Sequence, residues 1–206
     1  MLVRKMLRDI GKNKVQFAAV FLMMFFGCFL YSGITGEWGG MKKHFDDYIQ
    51  SQNLADALWV YTEFSQGELN TLRQDSGVDE AEGRMTVPMG LKGGDDVVLD
   101  CYFAETNNIS KLYIREGIPF DSSREGVWLD ASFAEENHIQ VGYELHLTYQ
   151  KMEITGRVLG LADSPEYIYG VRDGDMMPDH SIYGFVRASP KILPDENLFS
   201  INQIAV

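Results

Sequence analysis

Hydrophobic positions in this chain follow two regimes, a long uninterrupted apolar run and then the mixed periods of α and β structure. From Val15 to Gly36 no Asp, Glu, Lys or Arg occurs over 22 positions. At a rise of about 1.5 Å per residue a helix of that length covers about 33 Å, enough to cross a hydrocarbon core of about 30 Å. Trp38, Met41, Phe45 and Tyr48 then recur at helical spacing, so the helix is expected to continue to about Gln52 as an amphipathic stalk. Gly36, Gly39 and Gly40 weaken the join and favour a bend there. Ahead of the run, Leu2, Val3, Met6, Leu7 and Ile10 share one helical face and Arg4, Lys5, Arg8 and Lys12 another. That pattern fits an interfacial helix, and ordinary topogenic charges with incidental spacing account for it as well.

From residue 54 the elements shorten. Leu54–Thr62 reads as a strand, and Ser65-Gln-Gly-Glu68 has the form of a capping box opening a helix that buries Leu69 and Leu72 and ends at Gly77. Val78–Leu91 returns as a strand, which makes a β-α-β start. Lys92-Gly-Gly-Asp95 predicts a hairpin turn into Val97–Ala104, where Val97, Leu99, Cys101 and Phe103 alternate with Val98, Asp100 and Tyr102. Asp130 or Ser132 caps a short helix. Glu144–Tyr149 and Met152–Leu161 form a hairpin across Gln150-Lys151, and Ser181–Ala188 and the segment 197–206 read as later strands. In the last of these, Phe199, Ile201, Ile204 and Val206 are available to a core, and pairing with Leu54–Thr62 or Val78–Leu91 is expected.

Charge divides the chain at the apolar run. The net charge is -12, but residues 1–14 hold five cations against Asp9, a surplus of +4, so the remainder holds -16. An acidic body speaks against a nucleic-acid surface, which needs a cationic footprint. Cations before the span place the N-terminus in the cytoplasm and everything after Gly36 outside. A cleaved secretory signal is the competing reading. It is disfavoured because the apolar run exceeds the usual length of about 7–15 residues and no Ala-x-Ala site follows. A lipoprotein site at Gly27-Cys28 is disfavoured by Phe25 and Phe26 before it and Phe29-Leu30-Tyr31 after it.

Candidate chemistry is mostly absent. His44, His138, His146 and His180 occur in no metal-ligand spacing, and the chain has no HExxH, CxxC, GxSxG or Walker A sequence. Cys28 at membrane depth and Cys101 beyond it are not placed to pair. Gly93-Gly94-Asp95-Asp96 lacks the Glu and Phe of the nucleotide-cyclase signature and reads as a hairpin turn. Asp173-Gly174-Asp175 with Asp179 lacks the EF-hand spacing and reads as a solvated loop. The expectation is a non-catalytic protein without cofactor or metal.

Four short motifs stand in order beyond the span: Glu116-Gly117-Ile118-Pro119, Glu125 to Ala134, Ile139-Gln-Val-Gly-Tyr-Glu-Leu-His-Leu147 and Gly156-Arg-Val-Leu-Gly-Leu-Ala162. With the basic start RKMLRDIGKNKVQF and the run Leu112–Phe120, this order resembles the N-terminal half of FtsX/MacB-type ABC transporter permeases. Ile118 replaces an arginine and Tyr143 an aspartate of the family pattern, and both departures keep the turn chemistry. The resemblance spans essentially the whole chain.

It implies an α+β fold: a transmembrane and stalk helix, then an extracytoplasmic mixed α/β domain with a βαβ porter-like lobe and an inserted β-rich lobe. The expected division is 1–14 cytoplasmic amphipathic helix, 15–36 transmembrane helix, 37–53 stalk and 54–206 MacB-like core domain, incomplete at its C-terminus. It implies part of a permease subunit that couples ATP hydrolysis by a cytosolic ABC ATPase to movement of the outer domain. The expected partners are that ATPase, membrane lipid and a second permease copy, and no nucleic acid. Trp38, Met41, Phe45 and Tyr48 would be coupling residues and Arg4, Lys5, Arg8 and Lys12 the cytoplasmic interface. The alternative is a single-pass anchored module that binds an extracellular ligand or partner.

Overall fold

Helix α1 occupies Lys14–Gln52 without interruption at Gly36, Gly39 or Gly40. The computed structural model describes residues 8, 11–94, 96–195 and 198–206. The chain divides into two compact units, one ending at Tyr48 and the other running from Ile49 to Val206. Among the described residues α1 is the one helix long and apolar enough to cross a membrane. It stops where the backbone of Asn53 turns left-handed at φ 51°. Leu54 N–H then donates to Ile49 O and Asn53 N–H to Gln50 O, both at 3.2 Å, a Schellman closure in which asparagine takes the position glycine usually fills.

In the second unit β1 (Leu58–Phe64) leads into α2 (Gln66–Arg73), and β2 (Glu82–Leu91) follows. The capping box forms as expected: Glu68 N–H donates to Ser65 Oγ at 3.2 Å, and Ser65 N–H donates to the Glu68 carboxylate at 2.8 Å. Three boundaries here differ from the sequence expectation by a full four residues. Helix α2 ends at Arg73 rather than Gly77, because Gln74 N–H folds back on Thr71 O and Asp75 begins a turn. Strand β2 begins at Glu82 rather than Val78, since Val78 N–H closes that turn on Asp75 O. Strand β1 begins at Leu58 rather than Leu54, because the amides of Ala55 and Asp56 are spent on Ser110 Oγ and Val206 O.

The remaining strands are β3 (Val98–Ala104), β4 (Tyr113–Gly117), β5 (Val127–Asp130), β6 (Glu144–Tyr149), β7 (Met152–Asp163), β8 (Tyr183–Ala188) and β9 (Ile201–Ala205). Helix α3 (Ala131–Glu136) follows β5, and Asp130 rather than Ser132 caps it by accepting from the amides of Ser132 and Phe133. All the strands belong to one sheet in the order β1-β9-β2-β3-β8-β5-β7-β4. Strand β6 pairs with β7 and also with β2, at Gly90↔Thr148 and Leu91↔Leu147. Strands β2, β3, β8, β5, β7 and β6 therefore close on themselves as a barrel, with β1 and β9 extending from β2, and β4 paired to the second half of β7.

Alternation along the strands gives the barrel two apolar layers. Leu99, Cys101 and Phe103 of β3 join Met85, Met89, Val127, Leu129, Leu145, Leu147, Ile154, Val158 and Val186 in the main core. The opposite face places Tyr102, Trp128 and Phe185 in a second cluster. Strand β5 is buried at all four positions. A third cluster lies under α2, where Leu69 meets Ile201 and Ile204 of β9. Strand β9 runs antiparallel to both β1 and β2 and so separates them, a split β-α-β arrangement. The C-terminal strand thus pairs with both candidate neighbours.

Candidate functional site

The stalk stripe remains outward on α1: Trp38, Met41 and Phe45 are exposed and Tyr48 is half-buried. Lys42 pairs with Asp46 one turn on, at 2.6 Å, on a different face of the same helix. Of the candidate cytoplasmic residues Arg8 and Lys12 are exposed, and Arg4 and Lys5 lie outside the described residues. Gly93 takes φ 84° in the β2–β3 turn, where Gly94 N–H returns to Leu91 O. Asp175 accepts from Arg172, and Asp179 from the amide and hydroxyl of Ser181. Among the described residues no group of three or more His, Cys, Asp or Glu is placed to hold a metal ion. Cys101 lies sealed in the core, and burial pushes its thiol up.

The densest functional geometry lies instead where α1 ends, wholly within the second unit. Residues 106–111, between β3 and β4, form a strap across the helix terminus. Ser110 N–H donates to Asn53 O at 2.7 Å, Lys111 N–H to Gln52 O at 2.7 Å, Asn53 Nδ2 to Asn108 O at 2.9 Å, and Ala55 N–H to Ser110 Oγ at 3.2 Å. Orphan carbonyls of a helix end are normally left to water or a glycine cap. Here they are consumed by a distant segment. Ser110 is itself left-handed, φ 49°, and buried. A non-glycine residue in that region persists only where its surroundings over-determine it.

The other end of the strap is fixed to buried charge. Arg187 of β8 donates to Glu82 of β2 and, at 2.9 Å, to Thr106 O. The same Glu82 carboxylate accepts from Thr106 Oγ1 at 2.6 Å and Asn108 N–H at 3.3 Å. One turn of strand further, Arg84 binds Glu166 at 2.7 Å and Gln203 Oε1 at 2.7 Å, tying β2 to β9 and to the 3-10 turn Pro165–Tyr167. Glu82, Arg84 and Arg187 are all at most 3% exposed. Charges so placed are tolerable only when paired and hydrogen-bonded. Burial draws the Arg187 guanidinium below its ordinary value, opposed by Glu82. Its Nε has no hydrogen-bond partner among the described residues.

Beside this pair Arg84 stacks over the Tyr102 ring at 5.2 Å. Tyr167 and Tyr183 both donate to Asp100 Oδ2, at 2.6 and 2.7 Å, and Tyr167 also touches the Tyr102 hydroxyl. Burial, followed by the negative surroundings, pushes the Tyr167 phenol up and keeps it a donor. The arrangement holds elements in fixed relation.

No local pattern marks Glu82, Arg84, Arg187 or Ser110 in the sequence, because their burial depends on segments remote along the chain. The signal that could have marked Asn53 is its residue type, since asparagine directly after a helical run is a common left-handed cap.

No protein-family model matches the chain, and no curated protein matches it. A solved structure, the extracellular domain of a noncanonic ABC-type transporter, YknZ, from Gram-positive bacteria, is similar with a TM-score of 0.50 at 12% identity. The similarity covers 72% of this chain and 80% of that one. At that identity the likeness is one of fold. The chain is a mixed helix-and-sheet protein with a long apolar N-terminal helix and a β-rich domain resembling an ABC transporter's extracellular domain.

Proposed function

We propose that this chain is part of a permease subunit of an FtsX/MacB-type ABC transporter, with residues 1–14 at the cytoplasmic face, 15–36 in the membrane, 37–53 as stalk and 54–206 as an extracytoplasmic core domain. The β1-α2-β2 unit with β9 is the porter-like lobe and the barrel the inserted β-rich lobe. ATP hydrolysis by a cytosolic ABC ATPase moves α1, and a second copy of the subunit completes a dimer within membrane lipid. Arg4, Lys5, Arg8 and Lys12 meet the ATPase or the anionic headgroups, and Trp38, Met41, Phe45 and Tyr48 pass the movement on.

The observation that supports this reading best is the helix terminus. A simple tether needs only a flexible linker between span and domain. Here the helix closes on Asn53 and four hydrogen bonds seize its end.

The test uses protein purified from native membranes. An ABC ATPase should co-purify, and Arg8→Glu with Lys12→Glu should release it. Met41→Asp with Phe45→Asp should leave it bound but weaken its stimulation. In intact cells Arg124→Cys, on an exposed turn, should react with an impermeant maleimide while the buried Cys101 does not. Labelling only after lysis would overturn the orientation. Binding of an extracellular ligand without any ATPase would establish the anchored-module alternative.

A further inference from the structure

Three features outside the membrane helix invite a role: the open edge of β1, the acidic hollows beside the helix terminus, and the strap 106–111. The first two show nothing of what would occupy them. The strap is different, because both its ends are defined and both are anchored by unusual chemistry.

We propose that residues 106–111 act as a coupler, transmitting displacement of the α1 terminus to the β2–β8 wall of the barrel, with Glu82 and Asn53 as its two positioning residues. At the helix end the strap is held through Asn53, Gln52 and Ala55. At the barrel end Glu82 gathers three donors, from Arg187, Thr106 and Asn108. Asn108 belongs to both ends at once, since its carbonyl accepts from Asn53 and its amide donates to Glu82. A shift of the Asn53 side chain therefore pulls on the peptide units that flank the Asn108 Cα.

The strap also has few conformations with which to absorb that shift. Ile109 and Ser110 are buried, and Ser110 sits left-handed with its amide and hydroxyl both engaged. Arg187 lies on β8, between β3 and β5, and Glu82 lies on β2, which pairs with β9 and β3. A pull on their shared pair is thus applied to both lobes of the domain. Apart from its bonds to the strap, the direct chain route, 53–57, leads among the described residues to the edge strand β1 and the backbone of Val206. The mechanical purpose of the coupler rests on the permease reading; the coupling itself does not, and the test measures the coupling alone.

Thermodynamic coupling is reciprocal, so each end should report a change made at the other. Amide exchange at single-residue resolution is followed on the full chain in detergent micelles. Asn53→Gly keeps the left-handed backbone without strain and removes only the bond to Asn108. Glu82→Gln removes the charge that Arg187 pairs with. The expected result is that N53G speeds exchange of the Asn108 amide, and E82Q that of Ser110 and Lys111, by about tenfold or more. The amides of Leu147 and Val158, in the barrel wall away from the strap, should stay protected. Changes confined to the altered end would make the strap two independent anchors and overturn the proposal. If E82Q also releases Leu147 and Val158, Thr106→Val replaces it, since that loses one hydrogen bond and uncovers no charge. Unchanged Ser110 and Lys111 exchange in T106V then overturns the proposal in the same way. An ATPase that fails to co-purify would refute the permease reading and leave these exchange rates untouched.

Discussion

The amide of Ser110 donates to the carbonyl of Asn53 across 2.7 Å, and both residues hold left-handed backbones, at φ 49° and 51°. Two uncommon conformations meeting at one hydrogen bond fix where α1 ends and how the segment 106–111 crosses its terminus. Asparagine tolerates this region because its short polar side chain finds local partners, and Asn53 finds Asn108 O.

Replacing Asn53 by valine should cost more than replacing it by glycine. Both lose the side-chain bond, worth about 1 kcal/mol, and valine adds about 1–2 kcal/mol for a β-branched residue held at positive φ. Urea midpoints of the two variants measure the difference. Equal losses would mean that the left-handed cap is not maintained in solution.

Gly117 should be intolerant of any side chain. It has φ 90°, and a Cβ there would lie 2.3 Å from Leu159 O and 2.7 Å from Gly160 Cα. This glycine stands in the Glu116-Gly117-Ile118-Pro119 turn, so close backbone approach is the physical reason for it. Gly117→Ala should destabilise by about 2–4 kcal/mol and loosen the β4–β7 amides first. A wild-type melting temperature would contradict the close approach.

For the buried pair the decisive experiment is a double-mutant cycle. Glu82→Met or Arg187→Met alone should cost about 3–5 kcal/mol by stranding the other charge, whereas the two methionines together should recover most of that loss. Additive losses in the double variant would show that the two charges do not depend on each other.

Asp130 gives a pH dependence whose sign is set by burial. Burial raises its carboxyl above the ordinary range, and the amides of Ser132 and Phe133 offset only part of this. The folded state therefore keeps the proton to higher pH than the unfolded chain does. Its contribution is fully present below the unfolded carboxyl pKa of about 3.9 and is lost as pH rises through the higher folded value. Asparagine caps a helix as well as aspartate, so Asp130→Asn should keep α3 and flatten this fall. Urea midpoints from about pH 4 to 7 follow it; parallel curves for the two proteins would disprove it.

Local signals were legible where one short stretch determines the outcome. Ser65 and Glu68 announced their capping box, alternation in β3 separated core from outer face, and the β6–β7 hairpin turns at Gln150-Lys151, with Gln150 at φ 52°. Other features depend on partners remote in sequence. Strand β5 is four residues buried on both faces, so it has no period to read, and β4 is short and polar. Barrel closure needs the parallel pairs β3–β8 and β5–β7, which no local pattern encodes. The strap and the Glu82–Arg187 pair were hidden for the same reason. A charged residue on a strand looks solvent-facing until another segment covers it.

The place of β9 between β1 and β2 also sets an order of assembly during synthesis. As the chain leaves the ribosome, α1, β1, α2 and β2 all emerge long before Ile201–Ala205, yet β1 pairs only with β9 and meets β2 only through it. Until then Leu58, Trp59, Val60 and Tyr61 have no strand partner, and even afterwards each remains at least 44% exposed. The barrel strands can register among themselves in the interval, but the β1-β9-β2 part of the sheet forms only once β9 has emerged. Between the emergence of β1 and that of β9 the nascent chain therefore presents an apolar, unpaired strand, a target for a holding chaperone and a site of misassembly when expression is fast.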